Sequence, residues 1–466
     1  MSKTAGQVAR ELEVLAEKMP ERVEQAAGRA MLDFDARNKK NMQGYGWKRP
    51  RTTGDYMQSW SLQTRKRGAV TEASASTNSP YGPRLEFGFF GTDRLGRVYC
   101  VDMETEAMTP QGWMTATELQ AMDKPVVLTL NPDTWQSEWQ PADVNVFSDG
   151  PYEVTSIEGR SCSSATTADH RWLVERYYAR GKKWIREWRT TETMPANVRV
   201  PIAAKRADSP LHSVHDNDLV ELVGWFWTEG NFEWSKRNPE RPISMGITQS
   251  PSANPENCER IRSLLTRIFG PPAKFLEGGH WHERLGASRS INFRIDKVGV
   301  WLVRNAVETR TKAMKPEFLM DLTQSQLDLL IDISMMADGC VTNDGVARLS
   351  QACENRIRSW EMAVVLAGRA MTTHTNGRMW STTLLRSNYS SAFDSALRRD
   401  RSGPSDPRVV DVDKGWCPTT QNGTWLARRN GTVYFTGNTQ PPHPHAQPAW
   451  KHVGDDFRKH LGPLAS

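Results

Sequence analysis

LVELVGWFWTEG at residues 219–230 and LDLLIDISMMADG at 327–339 are apolar runs that each close on an acid followed by glycine. Both predict helices, and Thr323 and Gln326 stand ahead of the second at capping-box spacing. Each helix then carries a carboxylate, Glu229 or Asp338, in its last turn. A negative charge there opposes the helix dipole at a cost of roughly 0.3 to 1 kcal/mol. One such run reads as a buried helix with an ordinary acidic end; two ask for a common reason, and a bound metal ion supplies one. Around them, NCERIRSLLTRIF (257–269) predicts a helix stopped by Gly270-Pro271-Pro272, and INFRI (291–295) alternates as a strand does.

The pair, with its carboxylates 109 positions apart, resembles the two motifs of the LAGLIDADG homing endonucleases. The resemblance implies helices packed side by side, each leading an α-β-β-α-β-β-α half, with sheets that enter the DNA major groove, where base edges differ. It implies that Glu229 and Asp338 bind a divalent metal, Mg²⁺ or Mn²⁺, and that the partner is a double-stranded DNA site. Gly224 fits the close-packing position of the first motif, whereas Ile333 occupies the equivalent place in the second. Lys312 and Lys315 both precede the second motif, where the family often has a catalytic lysine. His280 and His282 read as loop residues.

Outward from this centre the composition changes. Residues 1–99 with 439–466 carry 20 Lys and Arg against 13 Asp and Glu, while 100–438 carry 40 against 41 and hold all six cysteines. Two interleaved compositions point to a 339-residue unit inserted into a 127-residue host. With a net charge of −1 on the insert, DNA affinity has to come from a local basic face.

The boundaries carry chemistry. Cys100 opens CVDMETEAMTPQGWMTATELQAMD, read as a strand, a turn at Pro110-Gln111-Gly112 and a second short strand or helix. TTADHRWL (166–173) sets Thr167 and His170 in a T-x-x-H arrangement, and GWCPTTQNGTWLARRNGTVYFTGNT (415–439) ends in Asn438 followed by Thr439. These blocks, in this order, resemble the splicing blocks of inteins. A thiol is the best available nucleophile for the carbonyl of Tyr99, and Cys100 and Cys417 are the candidates. The resemblance implies that His170 protonates the departing nitrogen, that Thr167 orients it or donates to the oxyanion, and that the Asn438 side chain closes on its own carbonyl ahead of Thr439. Splicing needs no cofactor. Gly437 stands where a histidine usually assists that cyclisation. Trp172, Cys417 and Thr436 match the trio of the class 3 inteins, in which the downstream cysteine attacks first, yet Cys100 is also present. Cys417 is the favoured first nucleophile, with the Cys100 route kept open.

In the outer segments, Val8, Leu12 and Leu15, then Val23, Ala27, Ala30, Met31 and Phe34, predict one long or broken amphipathic helix, with Pro20 as a first-turn proline of its second part. Residues 69–90 read as short strands around a loop at Asn78-Ser79-Pro80. After the proline-rich 441–445, Trp450, Val453, Phe457 and Leu461 recur at helical spacing. Joined, the segments resemble phage head-tail joining or tail-completion proteins, which implies other phage head and tail proteins as partners of the ligated product. Lys48-Arg49-Pro50-Arg51 and Arg65-Lys66-Arg67 read as solvated charge runs, with contact to DNA or an acidic neighbour as the alternative.

The chain of 466 residues has no apolar run near the ~20 residues of a membrane span and no signal-peptide pattern at its start. Its cysteines show no CxxC spacing. The expectation is a multidomain protein of the bacterial cytoplasm, with the ligated product in the virion and no membrane partner. The parts are an all-β Hint horseshoe from 100–210 and 405–438, an α/β LAGLIDADG domain at 215–400 within it, and a split α+β host at 1–99 and 439–466. A chain of the tail-protein type with an inert insertion is the alternative.

Overall fold

The structure, a computed structural model, describes residues 5–44, 58–67, 70–79, 98–195, 197–286, 289–343, 345–393, 408–437 and 446–455. The chain divides into two compact units, one of residues 1–90 with 440–466 and one of 91–439. No described helix is long and apolar enough to cross a membrane.

In the first unit a single helix, α1 (Ala5–Gly44), runs through Pro20 without interruption. The proline is therefore helix-internal and not a restart; its missing N–H costs one bond, which the long helix on either side tolerates. Strands β1 (Trp60–Arg67) and β2 (Val70–Thr77) form an antiparallel hairpin in full register. The cluster Arg65-Lys66-Arg67 thus lies on a strand, exposed. Phe34 meets Trp60 at 5.8 Å and, from the closing helix Ala446–Asp455, Trp450 at 5.4 Å, both edge-on. Lys48 to Arg51, Pro80 to Arg97, 441–445, Phe457 and Leu461 lie outside the described residues.

The second unit is a multi-sheet mixed α/β structure. It begins with β3 (Val101–Asp102), β4 (Glu106–Thr109), β5 (Gly112–Met114) and the short α2 (Ala116–Gln120), so strand, turn and helix follow one another after Cys100. Next come β6 (Val126–Leu130), β7 (Ser137–Pro141), β8 (Asp143–Phe147), β9 (Tyr152–Glu158) and β10 (Ser163–Thr167). The hairpin β11 (Arg171–Tyr178) and β12 (Lys183–Thr190) leads to β13 (Val198–Pro201).

The central segment repeats itself. Helix α3 (Asn217–Glu229) is followed by β14 (Gly230–Trp234), β15 (Pro242–Gln249), α4 (Pro255–Phe269), β16 (Trp281–Leu285), β17 (Ile291–Ile295) and α5 (Lys297–Val303). After α6 (Pro316–Asp321), the same series returns as α7 (Gln324–Asp338), β18 (Gly339–Val341), β19 (Ala347–Gln351), α8 (Glu354–Leu366), β20 (Met371–Thr375) and β21 (Trp380–Leu384). Sheet order is the same in both halves, β14-β15-β17-β16 and β18-β19-β21-β20. His282 belongs to β16, paired with Arg294, and not to a loop; a charged sequence hid a strand that its neighbour's backbone fixes.

The chain closes with β22 (Tyr389–Ser390), β23 (Arg408–Val412), β24 (Gly415–Thr419), β25 (Thr424–Arg429) and β26 (Thr432–Gly437). Two pairings cross the partition expected at 215–400: β22 joins β13, and β20 joins β26 at Thr372 and Thr432, so the second half's sheet continues as β26-β25-β4-β5. Edge strands with unpaired backbone groups have strong reason to join in this way. A buried ionic network spans the same seam, where Arg428 of β25 pairs with Glu361 of α8 and with Glu106 of β4. One hydrophobic core runs through both parts, from Leu128 and Phe435 to Trp227 and Leu330.

Candidate functional site

Two clusters of reactive side chains stand in the second unit. The first gathers the distant segments of residues 98–100, 167–172, 415–417 and 436–437. The Cys100 N–H donates to Thr167 Oγ1 at 3.1 Å, and the Thr167 hydroxyl donates to the Val98 carbonyl at 2.6 Å, so one threonine grips the chain on both sides of Tyr99. The Thr167 N–H donates to the Cys100 carbonyl at 3.1 Å, as an extension of the β10–β3 pairing. The turn after β10 then places His170, fully buried, with Nε2 2.6 Å from Thr436 Oγ1. Its Nδ1 has no hydrogen-bond partner among the described residues. Burial first, and the neighbouring Arg171 second, push the imidazole down to about 3, which holds it neutral.

Trp172 lies edge-on to His170 at 5.5 Å and donates through Nε1 to Thr191 Oγ1 at 3.0 Å. Thr191 also contacts Thr166 Oγ1 at 2.8 Å. Its signal in the sequence is indirect: the β11–β12 hairpin pairs Arg171 with Thr190 and so returns Thr191 to His170.

The two candidate nucleophiles share one small apolar cluster with Phe147. Gly415 and Cys417 alternate onto one face of β24, and the Cys100 sulfur sits against Gly415 where a side chain would stand. Burial, chiefly, pushes the Cys100 thiol up to about 12. Gly437 ends β26 with its α-carbon against the Arg171 carbonyl, so no Cβ fits there, and its own carbonyl accepts from Trp425 Nε1 at 3.1 Å. Burial lowers Arg171 to about 10, with Tyr99 near enough to oppose the shift. Residues 98–100 and Gly437 thus both come to the segment 167–172. Asn438 and Thr439 lie outside the described residues.

The second cluster sits where α3 and α7 end. Asp216 caps α3 by accepting from the Leu219 N–H at 2.7 Å, and Thr323 with Gln326 forms the capping box of α7. The helices pack face to face because Gly224 leaves room for Ile333: a Cβ at 224 would stand 2.7 Å from Ile333 Cγ2. Ile333 therefore fills the gap opposite the glycine without loosening the pair. Trp227 Nε1 donates across to Ser334 Oγ at 2.8 Å. Both helices pass directly into strands at extended glycines, Gly230 and Gly339, which fixes Glu229 and Asp338 as the last helical residues.

Burial raises Glu229 to about 7, with the nearby Asp338 adding to it and Lys312 opposing. Asp338, at the exposed rim, is also raised by desolvation and is opposed by Arg356 and Lys312. Lys312 is buried, with a left-handed backbone at φ 60°, and its ammonium donates to the Gly230 carbonyl. Burial first and Arg356 second bring it down to about 8. Lys315, the N-cap residue of α6, shares none of these contacts. Gln351 donates to the Asp338 carboxylate and accepts from Arg356 Nη1 at 2.8 Å. Gln351 and Arg356 were not legible as site residues, because β19 and α8 reach Asp338 only through the second half's fold.

The donor set fits a hard divalent cation. Two carboxylates whose ionisation is disfavoured chiefly by burial would be favoured as anions beside one, and an ion of this kind takes its remaining oxygens from water and substrate. Among the described residues, no three His, Cys, Asp or Glu side chains gather around one point, so the protein alone would not saturate it.

No family model matches the chain, and no curated protein matches it. Among solved structures it is similar to mesophilic variants of the homing endonuclease I-DmoI, at 11% identity over 36% of this chain and 83% of that one, with TM-score 0.27. A variant of I-DmoI in complex with its target DNA in the presence of manganese gives 11%, 36% and 87%, with TM-score 0.27. The homing endonuclease I-WcaI bound to its DNA recognition sequence gives 13%, 37% and 77%, with TM-score 0.25.

Proposed function

We propose that the chain is a self-splicing precursor that excises residues 100–438 and joins Tyr99 to Thr439, leaving a 127-residue phage head-tail or tail protein. The observation that carries this reading is the convergence of residues 98–100, 167–172, 417 and 436–437 on one largely buried centre with the trio complete. The Cys417 sulfur attacks the Tyr99 carbonyl while its thiol proton passes to the neutral His170, and the imidazolium so formed gives that proton to the Cys100 nitrogen as the Tyr99–Cys100 bond breaks. A histidine with so low a basicity releases a proton readily once charged. Thr167 holds both sides of the bond in place, and the filled trio favours Cys417 as first nucleophile. The Thr439 hydroxyl then takes the acyl group from sulfur, Asn438 cyclises and frees the Thr439 amine, and the ester rearranges to an amide. The packing of Gly437 against Arg171 supports a cyclisation assisted by backbone in place of a penultimate histidine. Intact masses of wild type, Cys100→Ala and Cys417→Ala test it: the 127-residue product from wild type and Cys100→Ala but not Cys417→Ala is expected. Only a 466-residue species from wild type would return the chain to a tail protein with an inert insertion.

A second activity within the same insert is favoured by the acid pair. Glu229 and Asp338 would hold Mg²⁺ or Mn²⁺, which activates water and offsets charge on a scissile phosphate. Lys312 would supply a positive charge or a proton beside them, while Gln351 and Arg356 fix the Asp338 carboxylate. The substrate on this reading is duplex DNA that joins the codons of Tyr99 and Thr439 without interruption. Double-strand cutting of that duplex with Mg²⁺, lost with EDTA, is expected. We place splicing in the cytoplasm of an infected bacterium and the ligated product in the virion, with other head and tail proteins as its partners.

A further inference from the structure

We infer that the β11–β12 hairpin is a second DNA-contact surface, which grips the phosphate backbone of the duplex outside the two endonuclease sheets. This rests on the nuclease reading above and extends it. The twenty residues 171–190 carry seven Lys and Arg against two Glu, whereas the rest of 100–438 carries 33 against 39. The hairpin is thus a strongly basic element in an otherwise acidic insert, and a polyanion has to approach such a unit through its basic face.

The charges divide along the hairpin. Along its stem, Arg176 and Arg189 pair with Glu187, and Arg186 with Arg199 of β13 pairs with Glu175. At its tip, Arg180, Lys182 and Lys183 are exposed and form no ion pair with a described residue. Aromatic rings stand among them: Tyr177 and Tyr178 are each 38% exposed and Trp184 41%. Tyr177 meets Trp184 at 5.4 Å, and the Arg199 guanidinium lies 3.9 Å from the centres of both Trp184 and Tyr389. Arg186 covers Trp135 at 4.2 Å. Exposed rings, one of them covered by a guanidinium, next to uncompensated cations suit sugar and phosphate contact.

The surface is also joined to the nuclease half through a short connection. Its sheet runs β12-β11-β13-β22, and β22 follows β21 of the second endonuclease sheet after four residues.

The test uses the full chain held in one piece by Cys100→Ala, Cys417→Ala and Asn438→Ala, and kept from cutting by Asp338→Asn. Its affinity for a duplex bearing the joined codons is measured over a salt series. Arg180→Gln, Lys182→Gln and Lys183→Gln together should flatten the plot of log affinity against log salt by about 2 to 3, close to 0.9 for each lost phosphate contact. Tyr177→Ala with Trp184→Ala should weaken binding about tenfold at constant slope. The same three changes at Arg65, Lys66 and Arg67 should leave the slope alone. An unchanged slope in the tip variant, with the parent still bound, overturns the inference and leaves the nuclease reading standing; equal flattening by the Arg65 set also overturns it. A parent that binds no duplex sinks both.

Discussion

Around Cys100 and His170 the protein gathers thiols, hydroxyls and one imidazole, all essentially buried, while around Glu229 and Asp338 it gathers carboxylates, a lysine, an arginine and an amide at the edge of solvent. The first centre holds its groups neutral: His170 is pushed down to about 3 and Cys100 up to about 12. The second is crowded with charge that is only partly balanced. On the two functions proposed, the contrast follows from where each substrate would lie. A peptide bond of the chain itself is delivered by folding and needs no entrance, so the centre is dry and its proximity already supplied. A polyanion arriving from solution needs an open rim and cations.

That contrast is sharpest if the two centres fail independently. Cys417→Ala should lower ligated product by about three orders of magnitude or more while DNA cutting persists, and Asp338→Asn should do the reverse. Parallel mass spectrometry and cleavage assays read this directly, and loss of both activities from either change would break the comparison. Within the charged centre, Lys312→Met should slow DNA cutting about a hundredfold, whereas Lys315→Met should stay within about twofold in single-turnover assays. Equal effects would remove the distinction that the burial of Lys312 makes. Within the dry centre, Gly437→His should slow ligation about thirtyfold, because a side chain there meets the Arg171 backbone, which cannot move aside as a side chain could. Faster ligation would mean that the usual histidine assistance had been restored.

The smallest effect concerns pH. The folded His170 pKa of about 3 lies below its ordinary 6.5, so between these values the unfolded chain binds the additional proton. Its contribution to stability is complete above 6.5 and is lost as pH falls towards 3. At pH 5.5 wild type should therefore lose about 1.4 kcal/mol relative to pH 7.5 that His170→Gln keeps, measured by denaturant unfolding. Parallel curves would show that the imidazole is not held neutral.

Much of the frame was legible because it is local. The apolar runs, the Thr323 capping box and the stop at Gly270 are settled within a few residues, so α3, α4 and α7 fall close to their expected limits. Pro20 misled for the same reason: the local rule predicts a helix start, and a 40-residue helix overrides it. His282 read as loop because strand character there comes from pairing with Arg294.

By itself the sequence determined the helices with their terminal acids, the change of composition at residues 100 and 438, and the residue types able to act as nucleophile, acid and ligand. Only the tertiary structure decided that Lys312 and not Lys315 meets the acid pair, that Gln351 and Arg356 join it, that Ile333 fits against Gly224, and that Gly437 has no room for a side chain. Each depends on atoms brought together from segments far apart in the chain. Spacing along one strand or helix carries no record of such approaches, whereas close packing, which leaves no space to spare, fixes them.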